Sequence, residues 1–239
     1  SRMAIADPAT QVRIAAVEAL GRIGGARVVS ILAPLAEDAE SSNDLVRAAL
    51  MALGEIGHPN SLPPLLASLH SRDPERRLYA AIALGKRGGM GVEVALQSLA
   101  ISDTEMRVVQ ATIEALTVLG TPEAIAALVE LTANPSRNEL CILALANLGE
   151  TQIEAIGQGL HHPNVKVRCA VIKVLTRLKH PRASGVLMAA LDDRETSVRL
   201  AAVNALEHLG NRYAERKIAI LAHTDPDPAV RRAAQKANS

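Results

Sequence analysis

Aromatic residues are almost missing from this chain of 239 residues, which contains no Trp, no Phe and only two Tyr, at positions 79 and 213. Hydrophobic residues still make up 49% of the sequence, and most of them are Ala, Leu, Val and Ile. Such a composition suits close packing of helices against one another. The shortage of aromatic rings argues against a site that stacks exposed nucleic-acid bases.

A strong net charge and long apolar runs are lacking as well. Lys and Arg number 26 against 25 Asp and Glu, whereas proteins that bind phosphate backbones usually have a clear basic excess. No stretch approaches the ~18 apolar residues of a membrane helix, and no signal peptide opens the sequence. Cys141 and Cys169 show neither metal-ligand spacing nor the density of a secreted disulfide scaffold. These absences predict a cytoplasmic protein without nucleic-acid or membrane partners in this segment.

A segment of about 31 residues repeats along the chain, and it is marked by a residue that follows the last apolar position of a helix. Successive marks are 29 to 33 residues apart. They are Gly24, Gly57, Gly88, Gly120, Gly149, Lys179 and Gly210.

Each repeat contains the pattern of two helices. A polar residue and a Pro open it, as in Asp7-Pro8, and apolar residues then recur at i, i+3, i+4 and i+7, which is helical spacing. Gly ends this first helix in a left-handed cap. A short turn, often with Pro, precedes a second helix. Neither helix is long enough to be stable alone, so stacked pairs must bury each other's apolar faces, as in an α-solenoid.

The pattern resembles the HEAT repeat, specifically the short variety first noticed in phycobilisome lyase subunits. The resemblance covers essentially the whole chain and rests on the Asp-Pro opening, the Val-Arg pair (Val12-Arg13, Val167-Arg168, Val198-Arg199, Val230-Arg231) and the Ala-Leu-Gly ending (Ala19-Leu20-Gly21, Ala52-Leu53-Gly54, Ala83-Leu84-Gly85). It implies an all-α, right-handed and armadillo-like α-solenoid of about seven helix pairs. It further implies a non-enzymatic protein-binding scaffold or regulatory domain.

We expect one repeat array over residues 1–239, with units near 7–38, 40–71, 72–102, 103–133, 134–162, 163–192 and 193–224 and a partial unit at 225–239. The segment SRMAIA is expected to be the tail of a second helix, and the chain a fragment of a longer protein. Val109 and Asn138 stand where the repeated Arg belongs, and Arg47 is displaced by one residue. We expect shortened or rotated helices at these places.

The repeated Arg residues are interpreted as structural. Asp7, Asp193 and Asp225 each precede their Arg by six residues, so an acidic partner recurs with the base, and each Arg should tie its unit to an Asp at a neighbouring turn. His residues recur at equivalent repeat positions, which lie about 8–10 Å apart in adjacent units. That spacing is too wide for a shared zinc ion.

Catalytic motifs are not found. HEAT-like arrays include a metal-dependent hydroxylase with paired His-Glu dipeptides, and this chain contains only the reversed Glu207-His208. They also include DNA glycosylases, which need the stacking rings that are missing here. Both cysteines fall on apolar helix faces, where a thiol acts as a small hydrophobe. We therefore predict no catalytic residues, no metal site and no cofactor.

The resemblance implies that the second helices line a concave surface that binds another protein, of unknown identity. The candidate partner-binding residues are Glu93, Gln97, Glu123, Glu130, Gln158, Gly159, Arg182, Arg212 and Arg216. Gly157, Gly159 and Gly185 could form a small-residue trough for a partner's helix, or they could reflect tight packing or a break in the fifth unit's second helix. The alternative function is a bilin lyase or phycobilisome-turnover subunit that handles a tetrapyrrole on the same surface.

Overall fold

The computed structural model describes residues 7–38, 40–210 and 212–238. Within these segments the chain forms fifteen α-helices and no strand. The segment SRMAIA lies outside the described residues.

Opening helices and second helices alternate along the chain, and within each compact unit they form a first and a second layer. The first layer contains the opening helix of each pair: α1 (Thr10–Ile23), α3 (Asn43–Ile56), α5 (Pro74–Arg87), α7 (Met106–Leu119), α9 (Asn138–Asn147), α11 (Val165–Leu178), α13 (Thr196–Leu209) and α15 (Pro228–Ala237). The second layer contains α2 (Ala26–Glu37), α4 (Leu62–Ser68), α6 (Val92–Ser102), α8 (Pro122–Leu131), α10 (Ile153–Gly157), α12 (Pro181–Leu187) and α14 (Arg212–Thr224). Short 3-10 turns precede α4 and α10 and follow α10 and α12.

The helices group into two compact units, residues 1–120 and residues 121–239. In each unit, consecutive first-layer helices pack side by side, and each first-layer helix after α1 also packs against the second-layer helix that precedes it in the chain. Leucines at the ends of the apolar stripes are fully buried, for example Leu53 and Leu84 in the first unit and Leu175 in the second. This is the mutual burial that the repeat pattern predicts.

Glycines in the first unit bring neighbouring helices unusually close together. A Cβ added at Gly54 would lie 2.9 Å from the carbonyl oxygen of Ala83, and one at Gly85 would lie 2.7 Å from Ala115 Cα. Both glycines belong to the Ala-Leu-Gly motif, and each faces the Ala at the equivalent position of the next repeat, which is Ala83 for Gly54 and Ala115 for Gly85. Any side chain at these positions would push the helices apart.

The marks of the repeat all have a positive φ, but they fall into two backbone conformations. Gly57, Gly120, Lys179 and Gly210 have the expected left-handed conformation, with ψ between 2° and 41°, whereas Gly24, Gly88 and Gly149 have ψ between −170° and −173°. The glycines at the ends of the first-layer helices have positive φ, as at Gly57 (62°) and Gly210 (59°). Lys179 occupies the same repeat position and has φ 49°, and among the described residues it is the one non-glycine with positive φ. The prediction that Lys179 replaces the capping Gly is therefore confirmed.

The expected irregularities are only partly present. Helix α9, where Asn138 replaces the Arg, is short at 10 residues, whereas α3 and α7 keep 14 residues each. The expectation of a shortened helix is therefore wrong for α3 and α7, and the alternative, a rotated helix, stays a prediction. The fifth unit's second helix is interrupted, since α10 is 5 residues long and continues as a 3-10 turn.

Candidate functional site

Three arginines of the first-layer helices each join one repeat to the next through a bidentate salt bridge to a carboxylate. The pairs are Arg77–Asp103, Arg168–Asp193 and Arg199–Asp225, with Nε–Oδ2 distances of 2.6, 2.7 and 2.8 Å. In each, Nη2 donates to the other carboxylate oxygen, and the remaining Nη1 donates to backbone carbonyls; for Arg168 these belong to His162 and Pro163. We call each such set an Arg–Asp rung.

The structural interpretation of the repeated Arg is therefore confirmed at three positions, and the partner is now defined. The paired Asp comes 25 or 26 residues after the Arg, at the opening of the following repeat. The residue six positions before the Arg contributes its backbone carbonyl instead. The planar guanidinium suits this double task, because it presents its donors in fixed directions.

The Asp of each rung also holds the start of its own repeat. Oδ1 of Asp193 accepts a hydrogen bond from the backbone N–H of Glu195 at 2.9 Å, just before α13 begins. Burial opposes ionisation of this carboxyl, but the hydrogen bonds from Arg168 and Glu195 N–H outweigh it and lower the pKa of Asp193. The hydrogen bond from Arg199 is the main cause of the lowered pKa of Asp225. The rung carboxylates are therefore charged at neutral pH.

Other repeated positions lack a complete rung, among them Arg13 and Asn138. Arg13 has a buried Nε without a hydrogen-bond partner, and its Nη2 donates to Thr10 Oγ1 at 3.3 Å. Asn138, which replaces the Arg in the fifth repeat, donates to the carbonyl oxygen of Thr132, six residues earlier. Asn138 therefore keeps the link to its own turn, as the arginines do.

Histidines stand at the openings of helices. The Nδ1 atoms of His58, His162 and His180 accept hydrogen bonds from the backbone N–H two residues later, at 3.0 to 3.2 Å. The Nε2 atoms of His162 and His180 lie 2.6 and 2.7 Å from carboxylates of Glu130 and Glu150. These two imidazoles thus connect neighbouring repeats. Within the described segments, no three His, Cys, Asp or Glu side chains lie close enough together to hold a metal ion.

Both cysteines are free thiols within helices. Cys141 is fully buried, and this burial raises its pKa to about 12. Burial also raises the pKa of Cys169, which is half-buried. A thiolate is therefore disfavoured at both positions, which fits the role of small hydrophobic residues.

The residues predicted to bind a partner differ in their environments. Glu123, Gln158, Arg182, Arg212 and Arg216 are exposed, whereas Glu93 and Gln97 on α6 are half-buried. Glu130 is exposed but already engaged by His162. Whether these side chains bind a partner stays a prediction.

Gly159 is not available at the surface. It is buried, and a Cβ added there would lie 2.6 Å from Val171 Cγ2 and 2.8 Å from Val129 Cγ1. Gly157 is also buried and faces Val186, whereas Gly185 is exposed and has open space around it. The trough interpretation is therefore corrected for Gly157 and Gly159, because tight packing and the interrupted α10 account for them.

Helix α6 in the first unit has apolar residues on two faces. Val92, Leu96, Leu99 and Ala100 are buried on one face. On the other, Val94 is 70% exposed and Ile101 is 56% exposed, and Met90 in the turn before the helix is 93% exposed. Since Val94 and Ile101 are seven residues apart, they lie on the same face of the helix, and Met90 lies in the turn at its start. We call these three residues the α6 stripe.

A groove lies beside the α6 stripe, between the end of α4 and α6. Its volume is about 720 Å³, and its walls combine apolar side chains, hydroxyl groups and the Arg77–Asp103 rung. Leu69 and Leu99 in its wall are buried, while Val94, Ser98 and Ser102 are exposed. Helix α4 is only seven residues long, so it leaves space that a longer second helix would fill.

Sequence reasoning missed this surface because it searched the second helices for polar side chains outside the core. The signal was present in VEVALQSLAIS, residues 92–102, where apolar residues occupy more of the helix circumference than one buried face requires. The neighbouring Pro63 and Pro64 gave a second signal, since they fall at the start of the short α4.

Stacked pairs of short helices, linked at three junctions by Arg–Asp rungs, define the protein as an all-α solenoid. The family description "HEAT repeats" matches residues 2–85, 62–149 and 153–238. The chain belongs to the HEAT-repeat family, as the resemblance implied.

Several solved structures are similar to this chain at low sequence identity. Human deoxyhypusine hydroxylase in complex with glycerol is 23% identical over 99% of this chain and 92% of that chain, with a TM-score of 0.46. The complex of CpcE and CpcF of phycocyanin lyase from Nostoc sp. PCC7120 is 21% identical over 98% and 84%, with a TM-score of 0.43. An archaeal HEAT-like repeats protein from Thermococcus onnurineus NA1 is 16% identical over 88% and 95%, with a TM-score of 0.40. These likenesses concern the fold alone.

A search of curated proteins finds no match to this chain. None of the helices in the described segments has the length and hydrophobicity needed to cross a bilayer.

Proposed function

We propose that the protein is a non-enzymatic scaffold that binds another protein through its second-layer helices, with the α6 stripe and the adjacent groove as the main contact. The observation that carries this proposal is the exposure of Met90, Val94 and Ile101 on a helix whose opposite face already fills the core. Clustered exposed apolar side chains mark interaction surfaces more often than single ones do.

The chemistry of the groove suits a protein partner. Its buried leucines offer an apolar floor, and the hydroxyl groups of Ser98 and Ser102 on α6 lie at its walls. A partner's apolar side chain could enter the groove while its backbone or polar groups bond to these hydroxyls. Interfaces are commonly built in this way, with a few buried apolar anchors and a polar rim.

The test compares two surface valines of the same unit. Val94 in the stripe is 70% exposed, and Val118 on first-layer helix α7 is 67% exposed. Proteins captured with the wild-type chain are identified, produced separately and titrated against Val94→Glu and Val118→Glu variants. We expect Val94→Glu to weaken binding at least about tenfold, as loss of a central anchor does, and Val118→Glu to leave it unchanged.

Equal affinities of both variants for every captured protein would contradict the proposed contact. The bilin-handling alternative makes a different prediction, because a free bilin mixed with the protein would then change its absorbance spectrum. A spectral change that Val94→Glu abolishes would replace the scaffold proposal by that alternative.

A further inference from the structure

A second groove lies in the first layer of the second unit, between α11 and α13. Its volume is about 360 Å³. The lining residues are Ile172, Lys173, Thr176, Arg177, Lys179, Ala201, Asn204, Ala205 and His208. We call it the α11–α13 groove.

The charges in this groove are of one sign. Lys173, Arg177, Lys179 and His208 line it, and no Asp or Glu does. Arg177 is paired at 2.6 Å with Glu139, which lies outside the lining. Among the described residues, Lys173 and Lys179 have no carboxylate partner, and both are exposed. Two ammonium groups are therefore available to an anionic ligand.

The equivalent groove of the first unit provides an internal comparison. It lies between α1 and α3, has a volume of about 300 Å³, and is lined in part by Glu18, Arg22, Arg47 and Glu55. Counted from the marks of the repeat, Glu18 corresponds to Lys173 and Glu55 corresponds to His208. The same backbone arrangement thus carries mixed charges in one unit and only basic or neutral groups in the other. Helix packing alone does not require this difference.

Lys179 supplies an independent observation. It stands in the left-handed conformation, with φ 49°, at a position where six other repeats have Gly. This conformation is disfavoured for residues with a side chain, and strained residues of this kind cluster at functional sites. Replacing this Lys by Gly would remove the strain but also one of the positive charges in the groove.

The sequence around the groove is basic as a whole. Residues 163–239 contain 14 Lys and Arg against 7 Asp and Glu, whereas residues 1–162 contain 12 against 18. The floor of the groove is apolar, formed in part by the buried Ile172 and Ala205. Aromatic rings that would stack nucleic-acid bases do not line it. Cations around an apolar floor match a ligand that is both acidic and amphipathic.

We propose that the α11–α13 groove binds an acidic amphipathic helix of a partner protein, with apolar side chains on the floor and carboxylates on Lys173 and Lys179. This inference rests on the proposed scaffold function and adds a second contact of stated chemistry. It does not use the α6 stripe.

The test uses a fluorescein-labelled synthetic amphipathic helix built from Leu and Glu, and a matched peptide with Gln in place of Glu. Fluorescence polarisation at low and physiological salt gives the affinities. The wild-type chain should bind the Glu peptide and not the Gln peptide, and added salt should weaken this binding. Lys173→Glu should weaken binding at least about tenfold, because it places a like charge against the ligand.

Lys179→Gly separates binding from folding. It should lower the affinity several-fold while raising thermal stability, so a loss of binding cannot come from unfolding. Arg22→Glu, in the equivalent groove of the first unit, is the matched control and should leave the affinity unchanged. The inference is overturned if both peptides bind equally, if Arg22→Glu weakens binding as Lys173→Glu does, or if single-stranded oligo(dT) binds and the Glu peptide does not.

Failure here is distinguishable from failure of the scaffold proposal. If the Glu peptide does not bind while Val94→Glu still disrupts a captured protein, only the α11–α13 groove assignment is wrong.

Discussion

The Arg168–Asp193 rung should be among the most costly contacts to break in the second unit. The side chain of Arg168 is 4% exposed and that of Asp193 is 11% exposed. Asp193→Ala would leave a buried guanidinium without its carboxylate, and such a loss costs about 3–5 kcal/mol. It would also remove the acceptor for Glu195 N–H, which adds about 1 kcal/mol at most. Because this rung lies far from the ends of the chain, local unfolding of a terminal helix cannot expose Arg168 to water and so reduce the cost.

The same helix offers a matched control. Arg177, also on α11, pairs with Glu139 at 2.6 Å, but their side chains are 42% and 61% exposed. Exposed pairs contribute about 0–1 kcal/mol, so Glu139→Ala should have little effect. Urea unfolding followed by circular dichroism at 222 nm measures both changes. The loss of unfolding free energy for Asp193→Asn should lie between the losses for Asp193→Ala and Glu139→Ala, because the amide oxygen of Asn can still accept a hydrogen bond from Glu195 N–H. If Asp193→Ala costs no more than Glu139→Ala, the rungs do not hold the repeats together.

Three further changes test the same account of the fold. The rung Asp residues, such as Asp193, have pKa values below the usual 3.8. Their contribution to stability is therefore complete above the pKa of the unfolded state and is lost as the pH falls through the pKa of the folded state. The melting temperature should drop below about pH 4, and it should drop less for the Asp193→Asn variant. Lys179→Gly should raise the free energy of unfolding by about 1 kcal/mol by removing backbone strain, and a lower urea midpoint would contradict this. Gly159→Leu should lower the melting temperature strongly, since overpacking against Val129 costs about 1–3 kcal/mol or more. An unchanged melting curve would instead support the interpretation of Gly159 as part of a surface trough.

The helix pairs could be predicted from the sequence because each first-layer helix carries its own end signal. Gly57 and Gly210 adopt the left-handed conformation that glycine favours, and Lys179 adopts it without being glycine. The repeat spacing was what identified Lys179, since its residue type alone would not predict positive φ. Helix endings of this kind are local, so they can be read without knowledge of distant contacts.

The rung partners could not be predicted in the same way. Arg199 has an Asp six residues before it, Asp193, and another 26 residues after it, Asp225. Both positions recur with the repeat, so spacing alone does not choose between them. The structure shows that Arg199 bonds to the backbone carbonyl of the first and the carboxylate of the second. That choice depends on how repeats stack, which is a property of tertiary packing.

The candidate contact surfaces were missed for a related reason. Sequence reasoning assumed that apolar residues belong to the core and searched for partners among polar ones. Val94 contradicts this assumption, because it is apolar and 70% exposed on a helix that is already packed on its other side. Gly159 shows the converse error, because it was assigned to the partner-binding surface and is in fact buried.

A repeated backbone makes functional positions visible by comparison within one chain. Positions that build the array must keep the same chemistry in successive repeats, and the rungs at Arg168 and Arg199 do so. A position that changes charge between equivalent grooves, as from Glu18 to Lys173, is not constrained by the stacking of helices. It follows that cations outside the rungs and without a carboxylate partner in the described part of the chain, such as Lys173 and Lys179, are free to select a partner. The backbone strain at Lys179 falls on such a cation, and the array would be more stable with glycine there.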